Sequence, residues 1–221
     1  PTSFAQEIPT KWHALAAPRG AITQLAASRD GQTVLAASSV SVNRQADQTQ
    51  ARDAGTPKGA DALYRSTDRG ANWTAITNDL PPGTITELYV DGKVGSVWIG
   101  LNERSTEMQP RSGPWRSIDG GLTWRRVPLD RDNLLIRTIV RDAAGDLLIG
   151  AQGAAEAAPA YLYRSTDDGA TWTSTALPAT EGAPADGLAA LVAHPQDAQR
   201  LYAVTALGEL LVSADGGKNW A

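Results

Sequence analysis

Short apolar runs recur along the chain, each closed by a break rich in Asp, Gly and Ser, and no stretch carries the spacing of a helix face. Residues 21–28 (AITQLAAS) and 32–38 (QTVLAAS) read as two strands joined at Asp30-Gly31. The same pairing returns at residues 85–90 and 96–101 around Asp91-Gly92, and at residues 135–141 and 146–151 around Gly145. It returns once more at residues 188–193 and 200–205. After each pair comes a further short run (Ala62-Leu63-Tyr64, Pro114-Trp115, Tyr161-Leu162-Tyr163, Leu210-Leu211-Val212), then a polar turn, then a Trp-led run. Every unit is thus four antiparallel strands, A to D, with this polar turn between C and D.

The C–D turn is nearly the same each time. Ser66, Asp68, Gly70 and Trp73 match Ser117, Asp119, Gly121 and Trp124, then Ser165, Asp167, Gly169 and Trp172, then Ser213, Asp215, Gly217 and Trp220. The pattern is S-x-D-x-G-x-[TN]-W, and its aspartates lie 51, 48 and 48 residues apart. Each residue type suits a tight turn. Asp takes hydrogen bonds from the turn's own N–H groups and Ser does so more weakly. Gly supplies a left-handed φ, and Trp folds a large apolar surface back over the loop. Four equivalent copies cannot all be one active site, so these sixteen residues read as structural.

A repeat of about 50 residues signals a repeat architecture. The motif resembles the Asp-box (BNR) repeat of sialidases, xyloglucan-degrading enzymes, sortilin-type receptors and photosystem assembly factors. That resemblance implies an all-β fold, a β-propeller of four-stranded antiparallel blades. It spans nearly the whole chain, with repeats at about 12–76, 84–127, 134–176 and 187–221 in a single domain or segment. Relatives more often have six to ten blades, so the four visible repeats are expected to belong to a larger propeller. The alternative is a small ring in which Trp12-His13-Ala14-Leu15, which matches a D strand, closes on the last repeat.

Strand parity separates two rims. The Asp boxes and the tight A–B turns share one. The insertions at 39–61, 102–113 and 152–160 and the Pro-bearing links at 78–84, 128–133 and 178–186 share the other. Loops on a rigid scaffold carry function more often than the scaffold does. The binding candidates are therefore Asn43, Arg44, Asp47, Arg52, Asp53, Asn102, Glu103, Arg104, Glu107 and Arg111, with Lys58 and Glu156 beside them. The insertion at 39–61 has scarcely any large apolar residue and reads as a long loop.

Composition narrows the chemistry. With 20 basic and 24 acidic residues and a net charge of −4, the chain offers no basic face to nucleic acid. It lacks Cys, which excludes disulfides and thiolate metal sites. His13 and His194 fall in different repeats without a partner motif and read as strand-end residues, so no metal and no cofactor is expected. No apolar run reaches the ~18 residues of a membrane span. Pro1 in place of an initiator Met suggests a processed or trimmed chain. The Arg-Ile-Pro signature of sialidases is missing, and Ile136-Arg137-Thr138 does not replace it.

Two functions remain. The first is a non-catalytic binding or scaffold propeller, bacterial and extracellular or periplasmic, that presents the insertion rim to a protein partner or a glycan. The second is a glycoside hydrolase whose acid pair, ~5–10 Å apart, is drawn from Asp47, Asp53, Glu103 and Glu107.

Overall fold

The computed structural model describes residues 21–39, 62–76, 80–93, 95–103, 112–153, 158–178 and 187–221. Those residues form fifteen strands and no helix. β1 (Ala21–Ala27), β2 (Val34–Ser39), β3 (Ala62–Ser66) and β4 (Thr74–Ala75) make the first antiparallel sheet, in chain order. β5 (Gly83–Val90), β6 (Val97–Glu103), β7 (Gly113–Ser117) and β8 (Arg125–Arg126) make the second. β9 (Leu134–Arg141), β10 (Leu147–Gly153), β11 (Ala160–Ser165) and β12 (Thr173–Ala176) make the third. β13 (Leu188–Ala193), β14 (Leu201–Thr205) and β15 (Leu210–Ser213) make a fourth of three strands, to which Ala221 adds one rung by exchanging both backbone hydrogen bonds with Val212. Within the described residues the strands expected from the apolar runs are present, with ends shifted by a few residues. Trp12–Leu15 lie outside the described residues, and at Val212 the edge is held by Ala221.

The boxes close as their residue types require, and the serine does more than expected. In the second box Ser117 Oγ donates to Asp119 Oδ1 (2.7 Å) and accepts from Gly121 N (2.8 Å). Asp119 takes the N–H groups of Leu122 and Thr123 and the Thr123 hydroxyl. These donors hold its carboxyl down at about 2, the Thr123 hydroxyl most strongly. Trp124 Nε1 then donates to Gly121 O at 3.0 Å, which locks the indole over the loop. Two successive residues are left-handed in every box: Arg69 and Gly70, Gly120 and Gly121, Asp168 and Gly169, Gly216 and Gly217. Only the second is glycine each time. A Cβ there would stand 2.5 Å from the preceding blade's Ile76 or Trp98 at Gly121 and Gly169, and 2.1 Å from Leu162 at Gly217.

The turn that holds Asp91-Gly92 lies where the strand bounds put it, between β5 and β6, and is closed by Asp91 N to Ser96 O and Ser96 N to Lys93 O. Asp91 is buried there.

The core lies between blades. Leu35, Leu63 and Ile76 of the first pack on Ile85, Leu88, Ile99 and Trp115 of the second. Trp98 of the second packs on Ile136, Ile139, Leu147 and Tyr163 of the third. Leu148 and Leu162 of the third pack on Leu188, Leu191 and Leu201 of the fourth. Among the described residues no core joins the fourth blade to the first. Leu25 holds the repeat position of Leu88, Ile139 and Leu191, which are 6%, 2% and 3% exposed, yet Leu25 is 66% exposed. Leu210 holds the position of Leu63 and Leu162 and is 62% exposed. Among the described residues, the outer faces of the first and fourth blades thus keep exposed the apolar residues that elsewhere make an inter-blade contact.

Candidate functional site

The innermost strands are joined across blades by side chains, because two neighbouring A strands do not share a ladder. Gln24 Nε2 donates to Thr86 O (3.1 Å) and Thr86 Oγ1 to Ile136 O (2.9 Å). Ile139 N donates to Glu87 Oε1 (3.4 Å) and Leu191 N to Thr138 Oγ1 (3.2 Å). Each A strand also carries one register shift, at Thr23, Thr86, Arg137 and Ala189, so every innermost strand bends at the same repeat position.

Glu87 is the unusual member of this set. Burial pushes its carboxyl up to about 7, against a smaller downward pull from the Ile139 N–H. No described cation pairs with it. A carboxyl whose value rises on folding binds its proton more tightly in the folded chain. Stability is then fully present below about 4.5 and is lost as pH climbs through about 7. The expected loss is about 2–3 kcal/mol. Glu87→Gln should flatten that slope in urea denaturation at pH 5 and pH 8. An unchanged slope in the variant would assign the pH dependence to another group.

On the insertion rim, the end of β6 meets the start of β7. Ser112 Oγ donates to Asn102 Oδ1 (3.1 Å) and accepts from Glu103 N (3.0 Å), so two of the expected binding residues are brought together. The others, Asn43, Arg44, Asp47, Arg52, Asp53, Lys58, Arg104, Glu107, Arg111 and Glu156, lie outside the described residues.

A second cluster on this rim was not singled out by the sequence. Tyr163 Oη donates to Asp130 Oδ1 (2.8 Å), and Ser174 Oγ to Asp130 Oδ2 (3.0 Å). Arg131 donates to Ser174 Oγ at 3.2 Å and lays its guanidinium 4.2 Å from the centre of the Tyr161 ring. Burial, helped by the Asp130 charge, pushes the Tyr163 phenol up to about 12, so it stays a donor. Contacts spanning 33 and 44 residues leave no local signal that could have found this group.

The box rim is held by ion pairs between and within blades. Asp168 accepts from Arg116 Nη2 (2.8 Å), Lys93 Nζ (2.8 Å) and Arg141, while Arg141 also grips Asp91. Arg164 binds Asp146 (2.7 Å) and Asp142. The His194 ring accepts from Gln196 N at 3.2 Å, a strand-end role. Among the described residues no three His, Asp or Glu side chains gather as metal ligands.

Sheets in chain order, cores between successive sheets and Asp-box turns along one rim define a β-propeller of the Asp-box type. Comparison with known proteins agrees. The BNR-Asp box repeat model matches residues 63–76. A xyloglucanase from Paenibacillus sp is 26% identical over 188 residues, which is 74% of this chain and 18% of that protein. The GH74 xyloglucanase structure from Xanthomonas campestris superposes with a TM-score of 0.62 at 23% identity, over 90% of this chain and 29% of that one. An oligogalacturonate lyase structure from Vibrio parahaemolyticus gives 0.51 at 11% identity, over 89% of this chain and 52% of that one. The chain thus spans under a third of either xyloglucanase, and the structural likenesses speak for the fold alone.

Proposed function

We propose that this chain contributes a glycan-binding face to a glycoside-hydrolase-type propeller acting outside the cytosol, and that the insertion rim is that face. The observation that carries this reading is the sequence similarity to a xyloglucanase over three quarters of the chain. Support comes from the rim itself. Asn102, Glu103 and Ser112 put amide, carboxylate and hydroxyl groups at one strand end, and Tyr161 with Arg131 supplies an aromatic and planar surface on the same rim. A few placed polar groups beside aromatic surface suit an uncharged polysaccharide. Of the four acids expected to supply a hydrolytic pair, Glu103 lies among the described residues.

Affinity electrophoresis of residues 1–221 in gels cast with xyloglucan, alongside a reducing-sugar assay, tests the proposal. Retarded migration without sugar release is expected of a binding face. Retardation with release assigns hydrolysis to these blades. Unretarded migration, with capture of a protein partner instead, overturns the glycan reading.

A further inference from the structure

Three of the four box serines are preceded by arginine, and the three guanidiniums can be compared directly. Arg65 Nη1 donates to Gly120 O (3.0 Å), Arg116 Nη1 to Asp168 O (2.8 Å) and Arg164 Nη2 to Gly216 O (3.1 Å). Each therefore reaches the same carbonyl of the next blade's box. Two of them also hold a carboxylate. Arg116 takes Asp168, a side chain of the box that it reaches. Arg164 takes Asp142 and Asp146, from the A–B turn of its own blade.

Arg65 has neither source. In the box it reaches, glycine stands at position 120 where the third box has Asp168. In its own A–B turn, Ser28 and Thr33 stand where the third blade has Asp142 and Asp146. The equivalence is fixed by the closing bonds, Ser28 N to Thr33 O and Asp142 N to Asp146 O. Among the described residues no carboxylate reaches Arg65. What remains is a cleft of about 660 Å³ between the first and second blades, with Arg65 and Arg29 in its wall.

We propose that this cleft binds a small organic carboxylate, whose charged end takes the place that Asp168 takes one blade further on. The other acids of the wall are already engaged. Asp30 accepts from Ser28 Oγ (2.6 Å) and Gln32 N (3.0 Å), Asp91 pairs with Arg141, and Asp119 is held in its box. Lys93, also in the wall, is paired with Asp168. A guanidinium with one edge on a carbonyl and the other toward a recess suits a carboxylate better than any neutral group. Val90, Val97 and the 73%-exposed Ile118 form the apolar part of the wall, beside Ser28, Thr33, Thr67 and Ser96, so the body of the ligand is mainly apolar.

Benzoate is the probe, with benzamide as its neutral match, titrated into residues 1–221 and read by saturation-transfer NMR. Benzoate should bind and benzamide should bind about tenfold or more weakly. Gly120→Asp supplies the carboxylate from within. Its backbone is left-handed, as at Asp168, and the Arg65 Nη1 that stands 2.5 Å from the new Cβ is the far end of a flexible side chain, an approach that Arg116 accommodates beside Asp168. That variant should fold with a melting temperature equal to or above that of the parent, and should weaken benzoate by about tenfold or more. Arg65→Gln should weaken it to a similar degree. No binding to the parent, equal binding of benzamide, or full benzoate affinity in Gly120→Asp would each overturn the proposal.

Discussion

Trp98→Ala is expected to destabilise the protein by about 3–5 kcal/mol, the range for a large aromatic deleted from a closed core. Trp98 is fully buried at the centre of the contact between the second and third blades. Its ring meets Trp172 edge to face at 6.2 Å, and the Arg116 guanidinium lies 4.9 Å from its centre. The Gly169 backbone packs so closely that a Cβ there would stand 2.5 Å from the indole. Deletion therefore opens a hole that strained, left-handed backbone cannot move in to fill. Leu35 and Leu148 hold the same repeat position in their blades, so Trp98→Leu should cost distinctly less than alanine. Urea denaturation of both variants provides the check. A loss below about 1 kcal/mol for alanine would show that this contact does not hold the second and third blades together.

Arg141→Met should cost about as much, roughly 3–5 kcal/mol, by a different route. The Asp91 side chain is 1% exposed and Arg141 grips it with two bonds, Nε to Oδ1 at 2.9 Å and Nη2 to Oδ2 at 2.6 Å. Burial pushes the Asp91 carboxyl up, and the bonds and charge of Arg141 more than reverse this, leaving it below the ordinary carboxylate range. A depressed carboxyl stabilises the fold above its unfolded value and loses that contribution as pH falls. In Arg141→Met the burial is opposed only by the long Ser96 hydroxyl bond (3.3 Å) and the sign turns over, since the variant gains by protonating Asp91. The penalty should accordingly be larger at pH 8 than at pH 5. Arg141→Met combined with Asp91→Asn should recover much of the loss, because it removes the stranded charge. Equal penalties at both pH values, with no recovery in the double variant, would mean that Asp91 is hydrated rather than buried.

Both expectations rest on contacts between blades, and there the sequence and the tertiary structure part company. Strand order, the four hairpins and the box geometry were legible in the chain. They depend on neighbours a few residues apart, such as Ser117 with Asp119 and Gly121, or on alternation along one strand. Asn102 and Glu103 were found as insertion-rim residues because parity along the chain suffices to choose a rim. The Asp130–Tyr163–Ser174 cluster, the raised Glu87 carboxyl and the missing carboxylate at Arg65 were not legible. Each depends on how one blade leans against another, across some 50 residues of chain, and a one-dimensional pattern carries no term for that. The repeat determined what each blade is, because its bonds are local. Packing of blade on blade decided which arginines are satisfied, which acid is buried and where a cleft stays open, because burial and pairing energies belong to neighbours in space.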